Sequence, residues 1–324
     1  MTHILDEKDF QILFQLDHNS RQSIQEISKK TGMKKSTIAY RLSNLTKHSI
    51  IKRFHTAIDM GKLGYISFRL YLKLQNTTPE KEKEIILFLK EKKEVTWLVS
   101  INGNYNIGAL ILTKSITEMN NIWKELLNRY IDYFDEKFLT IMTRITYYPR
   151  TYLSKKSTSE EEIELITEKE DPELDKTDIE ILKLLAPNSR INVTEIANKI
   201  GITTKTTLTR IRSLTERKVI VSFKTLFDLE KLGYKYLKVH FKLKNLTKEK
   251  NEQIYGYAKA HPNIIYHDEV LGGDDFEIEL QVKNDNELAE IIDDIRTRFS
   301  EIISQYHIMT FKEEHKYLFI PVDI

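Results

Sequence analysis

SIQEISKKTGMKKSTIAYRLSNLTKHSIIKRFHT, running from Ser23 to Thr56, is the stretch whose reading decides the fold. It reads as two short helices joined by a turn at Gly32, followed by a short β-wing. Ile24 and Ile27 form the apolar stripe of the first helix. Ile38, Leu42 and Leu45 form that of the second, at spacings of four and three. Gly32 stands where a left-handed residue ends one helix and turns the chain into the next. From Ser28 to Ile58 there are eight basic residues (Lys29, Lys30, Lys34, Lys35, Arg41, Lys47, Lys52, Arg53) and no acid. Apolar residues hold the unit together and cations crowd the helix that would enter a groove, as in a helix-turn-helix on DNA.

The stretch occurs twice. Shifted by 169 residues, the chain overlays itself without a gap. Leu5-Asp6 falls on Leu174-Asp175, Asn19-Ser20-Arg21 on Asn188-Ser189-Arg190, Gly32 on Gly201, Arg41 on Arg210 and Leu63-Gly64-Tyr65 on Leu232-Gly233-Tyr234. The register persists to Gly103 with Gly272 and Tyr148 with Tyr317. Such a period is far too long for a solenoid; the pattern is a duplicated unit fused head to tail.

Composition agrees. A chain of 324 residues allows two or more domains, and 40% hydrophobic residues suffice for real cores. The net charge of +2 hides segregation: cations gather in the helix-turn-helix units, acids in Glu160 to Glu173 and Asp268 to Asp294. With no cysteine there is no disulfide framework or thiolate metal site. No apolar run is long enough to span a bilayer, and MTHILDEKDF lacks a signal pattern, so a cytoplasmic protein is expected.

Taken in order, Asp6 caps a first helix carrying Ile12, Leu13 and Leu16. Ile50 to Ile58 reads as the wing. Tyr65 to Leu74 alternates as a half-buried strand, with Ile66, Phe68, Leu70, Leu72 and Leu74 inward and Ser67, Arg69 and Tyr71 on the other face. Thr78 and Pro79 start a helix to Lys92. Val95 to Ile101 and Ile107 to Thr113 are strands around an Asn102-Gly103-Asn104 turn. Ile116 to Tyr130 is a helix, and Phe138 to Tyr148 a last strand. The order βαββαβ is the ferredoxin-like plan, with helices on one face of a sheet and the other face free for a partner. The expected fold class is therefore α+β, in two tandem copies. The boundaries are 1–60 and 61–153, an acidic linker at 154–172 with a helical turn at Glu162 to Thr167, then 173–229 and 230–324.

A winged helix-turn-helix followed by a βαββαβ domain (a RAM-type domain) resembles the Lrp/AsnC, or leucine-responsive regulator, family of transcription factors. LDEKDFQILFQLDHNSR, the helix-turn-helix and the tail from Asp59 to Leu63-Gly64-Tyr65 carry the resemblance, and each recurs in the second copy. Family members have one unit per chain and dimerise through their sheets; this chain resembles a tandem, archaeal-type version. The resemblance implies double-stranded DNA as partner, a small-molecule effector near the turn between the second and third strands, and pairing of the two sheets within the chain, with room for a homodimer. At that turn the family pattern is Gly, any residue, Tyr, Asp. This chain has Gly103, Tyr105 and Asn106, then Gly272, Asp274 and Asp275. Ser49 and Lys218 stand where the family usually places a small glycine.

The candidate DNA-reading residues are Lys34, Lys35, Ser36, Thr37, Tyr40 and Arg41, with Lys52 and Arg53 at the wing. Their counterparts are Thr203, Thr204, Lys205, Thr206, Thr209 and Arg210, a less basic, threonine-rich set. The Asn-Ser-Arg motifs read as structural, Ser as a cap and Arg pairing locally. Histidine spacing supports no metal site, and no cofactor or catalytic motif stands out. Two rival readings share the architecture: a partner-binding scaffold with weak DNA affinity, and an enzyme like the sirohaem decarboxylases, which also occur as fused pairs. Those enzymes use His and Arg near the turn between the second and third strands; Trp97 to Ile107 contains neither, and the second copy has His267 but no Arg between Tyr266 and Phe276.

Overall fold

A computed structural model describes residues 4–154, 163–166, 173–318 and 320–321. In the first half the elements are helices α1 (Glu7–His18), α2 (Ile24–Thr31) and α3 (Lys35–Lys47) and strand β1 (Ile51–Ile58), followed by β2 (Ile66–Leu74), α4 (Pro79–Glu91), β3 (Val95–Asn102), β4 (Ile107–Thr113), α5 (Ile116–Tyr130) and β5 (Phe134–Tyr147). A short strand β6 (Ile163–Ile166) lies in the linker. The second half repeats the order as α6 (Lys176–Leu185), α7 (Val193–Ile200), α8 (Thr204–Glu216), β7 (Ile220–Phe227), β8 (Lys235–Leu243), α9 (Lys248–Ala260), β9 (Ile264–Leu271), β10 (Phe276–Val282), α10 (Asp285–Arg298) and β11 (Ile303–Tyr317). Each element starts 169 residues after its counterpart, because the local signals are duplicated too. Asp6 and Asp175 form capping boxes with Asp9 and Asp178, and Gly32 and Gly201 end α2 and α7 at φ +72° and +80°.

Each βαββαβ half has its sheet covered on one face by two helices. Phe68, Leu70 and Leu72 pack with Ile85, Leu89, Met119 and Leu126 in one core; Val239, Phe241, Ile254, Ile278 and Ile295 pack in the other. The two sheets then join edge to edge. The hydrogen-bonded order is β2-β4-β3-β11-β8-β10-β9-β5, and β5 returns to β2, so eight antiparallel strands close into one barrel. The seams are β3 against β11 and β5 against β9, each joining one half to the other. The expected pairing of the sheets within one chain is thus present, and closure leaves neither half an unpaired edge in the ring.

Closure also changes the reading of β2. Its second face is buried, not half-exposed: Ser67, Arg69 and Tyr71 are 5%, 6% and 0% exposed, because they point into the barrel at the opposing sheet. Of the linker, only Ser154 and Ile163–Ile166 lie among the described residues; Glu162 and Thr167 lie outside them. Where a helical turn was expected, Ile163–Ile166 is a strand paired with Arg144 to Tyr147. Four residues are too few for a stable helix, and the edge of β5 offers ready backbone partners.

The helix-turn-helix units are interlocked with the opposite halves. The wing strand β1 pairs with its own counterpart β7 in a two-stranded antiparallel ribbon. The core of the first unit (Ile12, Leu16, Ile27, Ile38, Leu45) takes in Phe227, Leu232 and Tyr234 of the second half. The core of the second unit takes in Ile58, Leu63, Tyr65 and Leu112 of the first. The Asn-Ser-Arg motifs are structural, but they act between halves. Ser20 and Ser189 hydroxyls meet at 2.5 Å, Arg190 donates to the carbonyls of Ser20 and Gln22 at 2.5 and 3.1 Å, and Arg21 donates to that of Ser189. This contact marks the pseudo-twofold axis.

One joint breaks the symmetry. Asp17, at the end of α1, is 1% exposed. It accepts hydrogen bonds from Tyr147 (2.5 Å), the Arg150 amide (3.0 Å) and the Arg150 guanidinium, which also donates to Gln281 of β10 at 2.9 Å. Burial alone would raise the Asp17 pKa; Arg150 and Lys224 outweigh it and hold it below the usual carboxylate value. The counterpart of Asp17 is Ala186, packed among apolar residues. Asp17→Ala should therefore leave Arg150 buried without its anion and cost about 3–5 kcal/mol. Urea unfolding should show this as a lowered midpoint, with Asp17→Asn falling between the two.

Candidate nucleic-acid interface

The recognition helices α3 and α8 are built alike and finished differently. Ile38 and Leu45 anchor α3, and Ile211 and Leu214 anchor α8, all buried. Opposite these, Lys34, Lys35, Ser36 and Tyr40 are exposed and Thr37 is half-buried; Tyr40 is 69% exposed, a large aromatic held in solvent. The second unit exposes Thr203, Thr204, Lys205, Thr206 and Thr209.

The helix starts also differ. Lys34 is the N-cap of α3 and offers no side-chain acceptor, so first-turn amides stay open beside Lys34 and Lys35. Thr203 caps α8, its hydroxyl accepting from the Thr206 amide at 3.0 Å and meeting the Thr206 hydroxyl at 2.8 Å. The second helix thus satisfies internally part of what the first leaves available to an anion.

Arg41 and Arg210 do not join the exposed faces. Arg41 donates to both Asp6 oxygens at 2.8 Å and to Asp9 at 2.9 Å. Arg210 binds Asp175 at 2.7 Å and Asp178 at 2.9 Å. Hydrogen bonds to these carboxylates raise both guanidinium pKa values. Each arginine clamps a recognition helix to the capping box of the unit's first helix. The signal for this was in the sequence: both pairs, Asp6 with Arg41 and Asp175 with Arg210, are 35 residues apart. At the ribbon, Lys52 and Arg53 are exposed, and Lys52 lies 3.9 Å from Asp228.

The turns read as effector sites are tied into their own domains. Asn106 and Asp275 each accept the amide at the end of the domain's first strand, from Leu74 and Leu243, both at 2.7 Å. An amide oxygen serves there as well as a carboxylate, so the loss of the acid in the first copy leaves this contact intact. Tyr105 stacks on Tyr71 at 5.2 Å between ring centroids. Gly103 is at φ +140°, and a Cβ there would lie 2.6 Å from the Ile308 carbonyl oxygen, a close approach only glycine permits. Gly272, at φ +80°, has open space around it. Asp274 turns inward to His240 at 3.0 Å.

That contact begins a charged interior that the sequence reading missed. Arg69 and its counterpart Lys238 both point into the barrel, whereas among the described residues the carboxylates around them, Asp268, Glu277 and Glu279, come from the second half. Arg69 lies 3.2 Å from Asp268, which also pairs with Lys238; Lys238 lies 2.9 Å from Glu277 and 3.5 Å from Glu279. The Glu277 contacts are ionic, since neither oxygen is aligned for a hydrogen bond. Burial would raise the Glu277 pKa, but Lys238 and His240 hold it well below the usual range. For His240, burial lowers the pKa, and Glu277 at 3.2 Å with Asp274 overcomes it, a net rise above 6.5.

A winged helix-turn-helix DNA-binding model matches residues 5–52 and again 174–221. The HTH-type transcriptional regulator Ptr1 of Methanocaldococcus jannaschii is 31% identical over 125 residues, 38% of this chain and 81% of that protein. The chain belongs to the Lrp/AsnC family of transcriptional regulators. Other members of the family give similar matches. FL11 of Pyrococcus horikoshii is 33% identical over 117 residues and 76% of its length, and an uncharacterised HTH-type regulator of Pyrococcus abyssi is 40% identical over 129 residues and 84% of its length. Across the whole duplicated chain, the sirohaem decarboxylase NirDL has the same fold, with a TM-score of 0.65 over 98% of this chain and 95% of that one, at 13% identity.

Where the family usually has glycine before the wing, Ser49 and Lys218 sit at φ +55° and +56°. Left-handed backbone at a non-glycine residue costs about 1–3 kcal/mol, and glycine gives back about 0.5–1 through its freer unfolded chain. Lys218→Gly should raise stability by about 1 kcal/mol in denaturant unfolding. A second outcome concerns pH. His240 faces Asp274, Glu277, Lys238 and Tyr71. Because its folded pKa is raised, its stabilising contribution is full below pH 6.5 and is lost as pH rises through the folded value. The melting temperature should fall across that window, and His240→Gln should flatten the fall.

Proposed function

We propose that this protein is a cytoplasmic, non-enzymatic regulator that binds double-stranded DNA as a single-chain pseudo-dimer with two unlike readers. The observation that carries the reading is the exposed, uncapped, lysine-bearing start of α3 beside the more neutral, self-capped start of α8. Family membership supports DNA as the partner, and the ribbon and crossed Asn-Ser-Arg contacts support a fixed relation between the readers. Two-fold symmetric proteins read palindromes. Here Lys34, Lys35 and Tyr40 are replaced by Thr203, Thr204 and Thr209, so the preferred site has two different halves.

The enzyme reading gains no support from the site. The turn from Trp97 to Ile107 holds neither His nor Arg, the second copy has His267 but no Arg between Tyr266 and Phe276, and the barrel interior at the first turn is packed with Tyr71, Val99, Ile101 and Met309. An effector at the Gly103 or Gly272 turn would have to disturb the strand-end hydrogen bonds of Asn106 or Asp275.

The test is DNA affinity against salt. Each neutralised phosphate contributes a slope of about −0.9 in log affinity against log salt. Lys34→Ala/Lys35→Ala should flatten the slope by about 1–2 and weaken binding across sequences, whereas Lys205→Ala should change it by less than about 1. Arg41→Ala should lower stability and leave the slope nearly unchanged, because its charge is already spent on Asp6 and Asp9. An unchanged slope in the double-lysine variant would remove the first unit as the main contact.

A further inference from the structure

The duplication supplies its own control for any feature found in only one half. A groove of ≈ 190 Å³ opens over the β5–β9 seam, between α9 and the linker strand β6. Arg144 and Lys259 line it with Glu164 and Glu269. At the matching place in the first half Glu313 replaces Arg144, Leu98 replaces His267, Ile86 replaces Tyr255 and Leu87 replaces Gly256, while Lys90 keeps the charge of Lys259 and Ser100 and His315 stand for Glu269 and Thr146. Gly256 lies inside α9, and a Cβ built on it meets nothing within 4 Å. Glycine in a helix interior costs about 0.5–1 kcal/mol relative to alanine. No steric need accounts for it, and its effect is to keep the groove open where the other half carries an exposed leucine.

Two polar groups in the groove are under-used. Arg144 has five donors, yet its carboxylate contacts are long: 3.4 Å to Glu164 and 3.7 Å to Glu269, against about 2.8 Å for a well-formed ionic hydrogen bond. His267 is 2% exposed, and its ring packs on Tyr255 at 4.4 Å and Phe276 at 4.9 Å. Among the described residues its nitrogens take no hydrogen bond, and burial brings its pKa down to about 4, so it lines the groove as a neutral imidazole.

We infer that this groove is a binding site for a small monocarboxylate, whose carboxylate takes the place of Glu164 on Arg144 while its body lies over Gly256 against Tyr255 and His267. Glu164 already shows that an anion seats there. At ≈ 190 Å³ the groove is many times the space one water needs, room for a small molecule. The site has a route to the DNA units, because β6, which carries Glu164, lies against β7 of the ribbon. Ligand binding and release of Glu164 are therefore one exchange at one guanidinium.

Calorimetric titration of the full chain with benzoate, and with methylammonium as the opposite-charge control, tests this without any DNA readout and independently of the regulatory function. Benzoate should bind and methylammonium should not. Arg144→Ala should weaken benzoate about tenfold or more, the scale of a lost ionic hydrogen bond. Glu164→Gln, at a surface position, should tighten it about two- to fivefold by removing the competitor. Gly256→Leu restores the residue of the first half and should abolish binding in a folded protein, as judged by an unchanged or raised melting temperature. Unchanged benzoate binding in Gly256→Leu, affinity in Glu164→Gln no tighter than in the parent, or no benzoate binding to the parent chain would each overturn the proposal.

Discussion

Backbone pairing at two seams holds this molecule in one arrangement. A βαββαβ sheet on its own has two edges and one bare face. Here β3 pairs with β11 and β5 with β9, so each edge is satisfied by the other half and each bare face becomes the inner wall of a barrel. Everything else depends on that closure. It buries Arg69, Lys238 and the three carboxylates around them, and it brings β1 and β7 together as one ribbon. It also sets the readers astride a pseudo-twofold axis whose midpoint is the Ser20–Ser189 contact. A dimer of separate chains must gather its partner from solution; a tethered half is present at an effective concentration of about millimolar.

Fusion frees the two halves to differ, and they differ in a consistent direction. The first half carries the basic reader and the second carries the acids of the barrel. Lys238, Asp268, Glu277 and Glu279 of the second half gather with Arg69 of the first. A buried ion pair is weak evidence for stability, since desolvation offsets much of the attraction. In this chain such groups act through geometry. Strand β10 presents Glu277, Glu279 and Gln281 in alternation to the interior, and Gln281 reaches Arg150 and hence Asp17 of the first reader. The second reader has Ala186 at that joint and is seated by apolar packing. A symmetric ancestor could not distinguish its readers in this way.

Much of this was legible in the residues. The 169-residue offset, the caps at Asp6 and Thr78, the glycine at 32 and the alternation of Tyr65 to Leu74 locate nearly every element, because caps and periodicity are local properties. What local pattern does not encode is the identity of the surface across the barrel. Arg69 and Tyr71 looked solvent-facing because the strand that covers them is remote in sequence. Arg41 looked like a DNA contact because it stands on a basic helix, yet its partners are 35 and 32 residues earlier. Ile163–Ile166 became a strand because an edge was available, a tertiary fact. At the candidate interface, exposure of Lys34, Lys35 and Tyr40 followed the helical periodicity, whereas the self-capping of Thr203 with Thr206 required coordinates.

Cross-linking of the β3–β11 seam measures closure within the chain most directly. Asn102 and Thr310 are paired across it, and the sequence contains no cysteine to interfere. Opposed positions on antiparallel strands have Cβ atoms about 4.5–5.5 Å apart, near disulfide reach. Oxidation of the Asn102→Cys/Thr310→Cys protein should give a species of single-chain mass with an internal cross-link, in a yield that does not change on dilution. Covalent dimers whose yield falls on dilution would contradict it, by showing that the seam forms between chains.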